Sequence, residues 1–340
     1  MTMMQVSVLR AVHDLVLEER PVPQPGPREV LVQVKSVGVC GSDVHYYEHG
    51  RIGEHVVREP LVLGHEPAGE IAAVGDAVTR VAVGQRVSIE PGMPCLSCDQ
   101  CLSGRYNLCP RMRFLATPPI DGAFCEYLAV HETFAHPVPD TLSDDAAALL
   151  EPLSVGVWAC RKGRVKPGSR VLVNGAGPIG LLAAQTALAF GASQVVIADV
   201  SANRLDLAGR LGVTDVLDLA SGSLTDSGVE PDVLLECSGH PAATVSALRT
   251  IAPAGRAVLV GMGADELPLP LPYLQNREIE LVGVFRYANT WPTAVELAAS
   301  GRVALDPLVT GHYPLSGVGG ALTAGATDPS TVKVVVTPTM

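Results

Sequence analysis

Positive charge is scarce in this sequence. Its 340 residues hold 24 Lys and Arg against 35 Asp and Glu, a formal net charge of −11, and no basic run occurs. An acidic chain of this kind is not expected to bind nucleic acid. Charged residues make up 17% and aromatics 4%, but hydrophobic residues reach 47%, enough to bury one or more large cores, so disorder is not expected. There is no internal repeat and no low-complexity tract. The N-terminal MTMMQVSVLRAVHDL has no basic stretch leading into an apolar one. No secretory signal is therefore expected, and the cytoplasm is the expected compartment. Long charge-free runs are rare too. Residues 171–198 are the exception, yet Asn174, Gln185, Ser193 and a glycine cluster divide them into strand, turn, helix and strand, so no membrane span is expected.

The length suggests about two domains. Residues 1–152 are rich in Val, Gly and Pro, with β-like runs such as EVLVQVKSVGV (29–39) and RVSIEP (86–91) broken by frequent turn residues, which predicts a mostly β domain. From 153 to 284 strands and helices alternate: RVLVN (170–174), QVVIAD (194–199), then TDVLDL, PDVLLEC, GRAVLVG and IELVGV. Six short strands with helices between several of them predict an α/β, doubly wound parallel sheet. The turn-rich texture returns over 285–340, and TVKVVVT reads as a closing strand. The simplest architecture inserts the α/β domain into the β domain.

Eight cysteines are present, and four of them, Cys95, Cys98, Cys101 and Cys109, share one short proline- and glycine-bearing lobe at 91–110. A chain this long needs no disulfide staples, and repeated CxxC spacing favours metal. Four thiolates satisfy a tetrahedral zinc and leave no open position, so such an ion would hold the lobe rather than react. The competing reading is a set of free or redox-active thiols. Cys125, Cys160 and Cys237 are expected to be buried thiols without a role.

Gly175-Ala-Gly177-Pro178-Ile179-Gly180 directly follows the strand RVLVN and opens a helix, the context a dinucleotide site requires. The first glycine allows the tight turn, the second lets a pyrophosphate approach, and the third lets the helix pack on the strand. Asp199 ends the next strand, where a carboxylate bonds ribose hydroxyls and repels a 2′-phosphate, so NAD is expected over NADP. Arg204, close by, leaves NADP open. The plain alternative is a structural turn with Asp199 as a helix cap.

Cys40 in GVCGSDVHYYEHG, His65 and Glu66 in LGHEPAGE, and Glu151 in EPLSVG offer a thiolate, an imidazole and carboxylates. Together they would form an open zinc site. Spacing alone does not join residues so far apart, and a single histidine is as readily structural. A resemblance joins them. The run Gly64-His65-Glu66-x2-Gly69-x5-Gly75-x2-Val78 resembles the zinc signature of the medium-chain dehydrogenase/reductase superfamily, and the likeness extends over essentially the whole chain. CGSDVHYYEHGRIG (40–53), ATPPIDGAFCEY (116–127), EPLSVGVWACR (151–161) and GVFRYANTWP (283–292) resemble its sorbitol (polyol) dehydrogenase branch.

The resemblance implies a GroES-like catalytic domain with an inserted Rossmann coenzyme domain. It also implies a catalytic zinc on Cys40, His65 and Glu66, with Glu151 holding a zinc-bound water or replacing it. Classical alcohol dehydrogenases usually have a cysteine at the Glu151 position, so glutamate fits the polyol branch. Vertebrate sorbitol dehydrogenases lack a complete cysteine lobe, whereas this chain has all four, so two zinc ions per subunit are expected. Ser42 and His45 match proton-relay positions; their plainer roles are a turn serine and an exposed loop histidine. Tyr46, Phe114, Thr117, Glu151, Arg286 and Tyr287 match positions that contact sugar alcohols, with ordinary ring packing the alternative for Tyr46 and Phe114. The implied activity is NAD-dependent oxidation of a polyol hydroxyl to a ketose. The alternatives are another diol or hydroxy compound, such as 2,3-butanediol or threonine, or a non-catalytic member of the fold. A homo-oligomer, with a tetramer favoured, is the implied assembly.

Overall fold

Valine-dense runs become strands because β-branched side chains pack well on a pleated surface. The computed structural model describes residues 2–340. In chain order it contains Glu29–Gly38 (β1), Gly41–His49 (α1), Glu66–Val74 (β2), Arg86–Ile89 (β3), Tyr127–His131 (β4), Ala135–Pro137 (β5) and Leu150–Lys162 (α2). Next come Arg170–Asn174 (β6), Pro178–Ala189 (α3), Gln194–Asp199 (β7), Ala202–Arg210 (α4) and Asp215–Asp218 (β8). They are followed by Val233–Glu236 (β9), Pro241–Leu248 (α5), Arg256–Leu259 (β10), Glu280–Gly283 (β11) and Trp291–Ala299 (α6). Val309–Pro314 (β12) and Lys333–Thr337 (β13) complete the set used below.

The chain forms two units, one of the residues up to Glu151 together with Leu305–Met340, the other of Pro152–Ala304. The return to the first unit thus falls at Leu305, later than the position 285 that texture suggests. The intervening helix α6 buries Trp291, Ala294 and Leu297, an apolar face that the turn-rich surroundings mask in the sequence.

In the first unit a seven-stranded sheet runs β5-β3-β2-β1-β13-β12, with β4 also paired to β1. Val30 and Val32 of β1 pack with Ile71, Val87 and Ile89. Val34 and Val37, further along, join Leu63, Phe124, Val334 and Val336 in a second cluster. Two register shifts between β1 and β2 end with Gly38 opposite Glu66, and β13 lies on the other side of β1 with Val335 opposite Gly38. Three strands therefore meet at the end of β1, one residue before Val39-Cys40.

In the second unit six parallel strands run β8-β7-β6-β9-β10-β11. Val171, Leu172 and Val173, Ile197 and Ala198, and Leu234 and Leu235 are all buried. Continuous rather than alternating apolar runs are what a sheet covered on both faces demands. The charge-free segment 171–198 resolves into β6, α3 and β7, and among the described residues no helix is long and apolar enough to cross a membrane.

Candidate active site and metal centres

Cys40 caps the N-terminus of α1, His65 immediately precedes β2 and Glu66 opens it, so the β1–β2 pairing brings all three to one place. Their ligand atoms lie within 4.8 Å of one another. Thiolate, imidazole and carboxylate in this arrangement are a donor set for a three-ligand zinc with one open position. Glu151 is buried at the start of α2 and lies outside that group. Glu66 Oε2 is buried without an aligned hydrogen-bond donor, so its lone pairs remain available to a metal beside the Lys333 ammonium that balances the carboxylate's charge.

Two residues not singled out in the sequence support this triad. Asp43 is fully buried on α1 and accepts from the N–H groups of Cys40 at 3.0 Å and Gly64 at 2.9 Å. Its Oδ1 lies 3.5 Å from His65 Nδ1, which leaves Nε2 as the metal-binding nitrogen, the usual arrangement of carboxylate behind a metal-bound histidine. Burial works against charge on His65, but Asp43 foremost and Cys40 more than offset it, holding the imidazole well above its ordinary 6.5. Asp43 itself, despite burial, is lowered by His65. Lys333, the one charged residue of β13, is buried and donates to Glu66 Oε1 at 2.6 Å and to the carbonyl of Val39 at 2.7 Å. Its Nζ also lies 2.6 Å from Oε2, without hydrogen-bond alignment. Burial disfavours the ammonium, yet Glu66, Cys40 and Glu151 raise its proton affinity. The sequence carried a signal for each: a carboxylate three residues after a helix cap, and a lone lysine inside an apolar strand.

A prediction follows for Asp43→Asn. Because His65 is raised in the folded, metal-free protein, the stability it contributes is complete below its ordinary 6.5 and is lost as pH rises through the folded value. The urea midpoint of chelated protein should fall between about pH 6 and the alkaline range. Asp43→Asn should flatten that slope and weaken zinc binding about 10–100-fold. An unchanged slope and affinity would remove Asp43 from this role.

The other expected residues are distributed as follows. Ser42 is half-buried and His45 exposed on α1, with His45 against His49 at 5.5 Å between ring centroids. Phe114 is buried with its ring 5.7 Å from that of His65, so it lines the metal site. Thr117 caps a tight turn in which its N–H donates to the Phe114 carbonyl and its own carbonyl accepts from Ile120. Tyr46 is buried in the cluster that holds Leu63 and Phe124. Arg286 and Tyr287 belong to the second unit. Arg286 has φ of 51° and lies over the Phe285 ring, and buried Tyr287 meets Trp291 edge-on.

Cys95, Cys98, Cys101 and Cys109 also form one group, with Sγ–Sγ separations of 3.5 Å for Cys98–Cys101 and 3.9 Å for both Cys95–Cys101 and Cys98–Cys109. A tetrahedron of sulfurs about 2.3 Å from zinc has edges of about 3.8 Å, so these residues fit that ion, and all eight cysteines are free of disulfides. Cys95 is pulled down to about 5, chiefly by the Ser97 N–H, and burial foremost pushes Cys101 up to about 12. Arg111 donates to Cys95 Sγ at 3.2 Å.

In the second unit Gly175 has φ of 100°, Gly177 caps α3, Pro178 takes its first position with Ile179 behind it, and a Cβ on Gly180 would stand 1.8 Å from the Gly175 carbonyl oxygen. Asp199 accepts from Ala176 N–H at 2.6 Å and from Ser201 N–H at 2.8 Å, which ties the end of β7 to the glycine loop. Arg204 Nε, in the first turn of α4, is buried without a hydrogen-bond partner.

The family model for the alcohol dehydrogenase GroES-like domain matches residues 26–140, and that for zinc-binding dehydrogenase matches residues 178–300. The chain is 44% identical over 321 residues to a sorbitol dehydrogenase of Bacillus subtilis (strain 168), covering 92% of this chain and 90% of the relative. It is 46% identical to the sorbitol dehydrogenase of Macaca fascicularis, covering 89% and 87%. The crystal structure of L-idonate 5-dehydrogenase from Escherichia coli superposes with a TM-score of 0.93 at 31% identity, covering 99% of this chain and 98% of that one. With the ligand triad, the cysteine lobe and the glycine loop all in place, the chain belongs to the zinc-dependent medium-chain dehydrogenase/reductase superfamily, in its sorbitol dehydrogenase branch.

Proposed function

We propose that this protein oxidises a secondary hydroxyl of a sugar alcohol, such as sorbitol or xylitol, to a ketose, reversibly, with NAD as hydride acceptor. The observation that carries the reading is the Cys40–His65–Glu66 group, three donors within 4.8 Å of one another, a set that would leave a zinc one position for substrate. The polyol class is supported by the relatives named above. When bound, zinc supplies Lewis acidity that eases loss of a hydroxyl proton, and NAD supplies the hydride acceptor. The chain's own residues orient the substrate and move the proton. Glu66 is the direct third ligand in this reading, because Glu151 lies outside the donor group. Glu151 orients a water or a substrate hydroxyl. Ser42 Oγ passes a proton towards the exposed His45 imidazole, three residues on along α1. Phe114, packed on His65, limits water near the reacting carbon, and Tyr46 and Thr117 shape the same wall. NAD is favoured over NADP because Asp199 would face a 2′-phosphate with like charge, and Arg204 stays close to the adenosine ribose.

The boundaries proposed for the catalytic and coenzyme domains follow the two units. Cys95, Cys98, Cys101 and Cys109 hold a second, structural zinc, so metal analysis of fully loaded protein should find two zinc ions per chain; one would contradict the assignment. A cytoplasmic homo-oligomer, tetramer favoured, is the proposed state. In support of assembly, β11 is an edge strand that exposes Leu281, with exposed Phe285 just beyond it.

The decisive experiment is NAD reduction on adding sorbitol or xylitol, abolished by a chelator and restored by zinc. Activity confined to 2,3-butanediol or threonine would overturn the polyol reading, and no turnover of any of these by zinc-loaded protein would overturn the enzymatic one. Arg286→Ala should lower kcat/KM for a polyol by about 100-fold or more and that for a simple secondary alcohol far less, since donors built for hydroxyls are wasted on an alkanol. Equal losses would remove Arg286 from polyol recognition.

A further inference from the structure

Glu236 ends β9 and is buried, beside Asn174 at the end of β6, its register partner. The donors that reach this carboxylate are all neutral. Oε1 accepts from Asn174 Nδ2 at 3.1 Å, from Ser238 N–H at 3.0 Å and from Ser238 Oγ, and Oε2 accepts from Gly239 N–H at 3.3 Å. Ser238 Oγ in turn accepts from His240 N–H at 3.2 Å, and the His240 side chain caps α5. A buried carboxylate held this way costs desolvation that a hydrophobic residue would avoid, so its bonds serve to fix a backbone rather than to add stability.

The backbone fixed is the Ser238–Gly239 turn, and it has no room to adjust. A Cβ on Gly239 would stand 2.0 Å from the Met262 carbonyl oxygen, one on Gly261 2.3 Å from Gly239 N, and one on Gly263 1.9 Å from Gly239 O. On the other side a Cβ on Gly175 would stand 2.9 Å from Ser238 N. The loops after β6, β9 and β10 are thus stacked backbone on backbone. They line the C-terminal ends of the strands where the order β8-β7-β6-β9-β10-β11 reverses, the place where a doubly wound sheet binds a dinucleotide. Asp199 on β7 marks the adenosine side, so the turn after β9 and the loop after β10 face the other half.

We infer that Glu236 is a positioning residue for the nicotinamide half of the dinucleotide, clamping the Ser238–Gly239 turn between the glycine loop and the Gly261–Gly263 strip. The inference rests on the dinucleotide reading above. The two come apart in one experiment on zinc-loaded, full-length protein: binding of NADH, followed by its fluorescence, and of ADP, which carries adenosine and pyrophosphate alone, followed by calorimetry. Glu236→Leu should raise the NADH Kd about tenfold or more and leave the ADP Kd within about twofold. The blue shift and enhancement of bound NADH emission should shrink with it. Glu236→Gln keeps a carbonyl oxygen for the donors on Oε1 and should fall between. Equal weakening of both ligands, or unchanged NADH binding, would overturn the inference; wild-type protein that binds neither ligand would instead overturn the dinucleotide reading. Should Glu236→Leu fail to fold, Glu236→Gln and Ser238→Ala decide by the same ratio, and a ratio unchanged in both overturns the inference.

Discussion

Gly38→Ala is expected to abolish most of the activity while leaving the fold intact. A methyl at this position would stand 1.9 Å from Glu66 Oε2 and 3.1 Å from Lys333 Cε. Gly38 is a strand residue without a positive φ, so alanine is compatible with its backbone and the strain falls on the carboxylate. Glu66 has no easy retreat, since it is buried and held by Lys333. It must therefore leave its place beside Cys40 and His65. A displacement of about 1 Å at a reacting centre costs about 100-fold in rate. The catalytic zinc should be lost first, so that metal content falls from two towards one while the cysteine lobe keeps its ion, and the melting temperature should fall about as far as removal of that one zinc lowers it in the wild type. A Gly38→Ala protein with two zinc ions and undiminished kcat would show that Glu66 is free to move and does not set the metal geometry.

Lys333→Met should be the most destabilising single change near the site. It removes the ammonium from between Glu66 and the Val39 carbonyl and leaves a buried carboxylate without its cation. Breaking one partner of a buried pair costs about 3–5 kcal/mol, because the remaining charge is uncompensated. The size of that loss should depend on metal. In chelated protein it is felt in full; in zinc-loaded protein a second cation neutralises Glu66, so the destabilisation shrinks and the gain in melting temperature on adding zinc exceeds that of the wild type. Equal losses with and without zinc would mean that Glu66 is not a ligand. The same measurement bears on Glu151, which also raises the proton affinity of Lys333 but lies outside the donor group.

Gly38 carries no local mark of function and Lys333 only that of a lone lysine in an apolar strand, and this separates the two kinds of information in the chain. The six strands of the coenzyme unit, the glycine loop with Asp199, and the four-cysteine lobe are legible directly. Each is a short-range pattern whose physical basis, an apolar run, a tight turn or a ligand spacing, is complete within about 30 residues. The β1 and β13 runs are legible as strands for the same reason, although the turn-rich texture after position 285 conceals helix α6.

The proposed catalytic group is different in kind. Cys40, His65 and Glu66 are joined in the sequence only by resemblance to a family, and physically they are joined by the β1–β2 register that sets Gly38 opposite Glu66. Asp43 is brought beneath His65 by the turn of α1, and Lys333 reaches Val39 across 294 residues of chain through the β1–β13 pairing. Glu236 likewise gains its meaning from Asn174, 62 residues away on a neighbouring strand. The amino-acid sequence by itself determined most of the elements, the clustered cysteine lobe and the glycine loop, because local sterics and spacing encode them. Which buried charges face each other was decided only by the tertiary structure, because strand pairing across the whole chain, and the close approach that glycines such as Gly38 permit, carry no signature in any window of sequence.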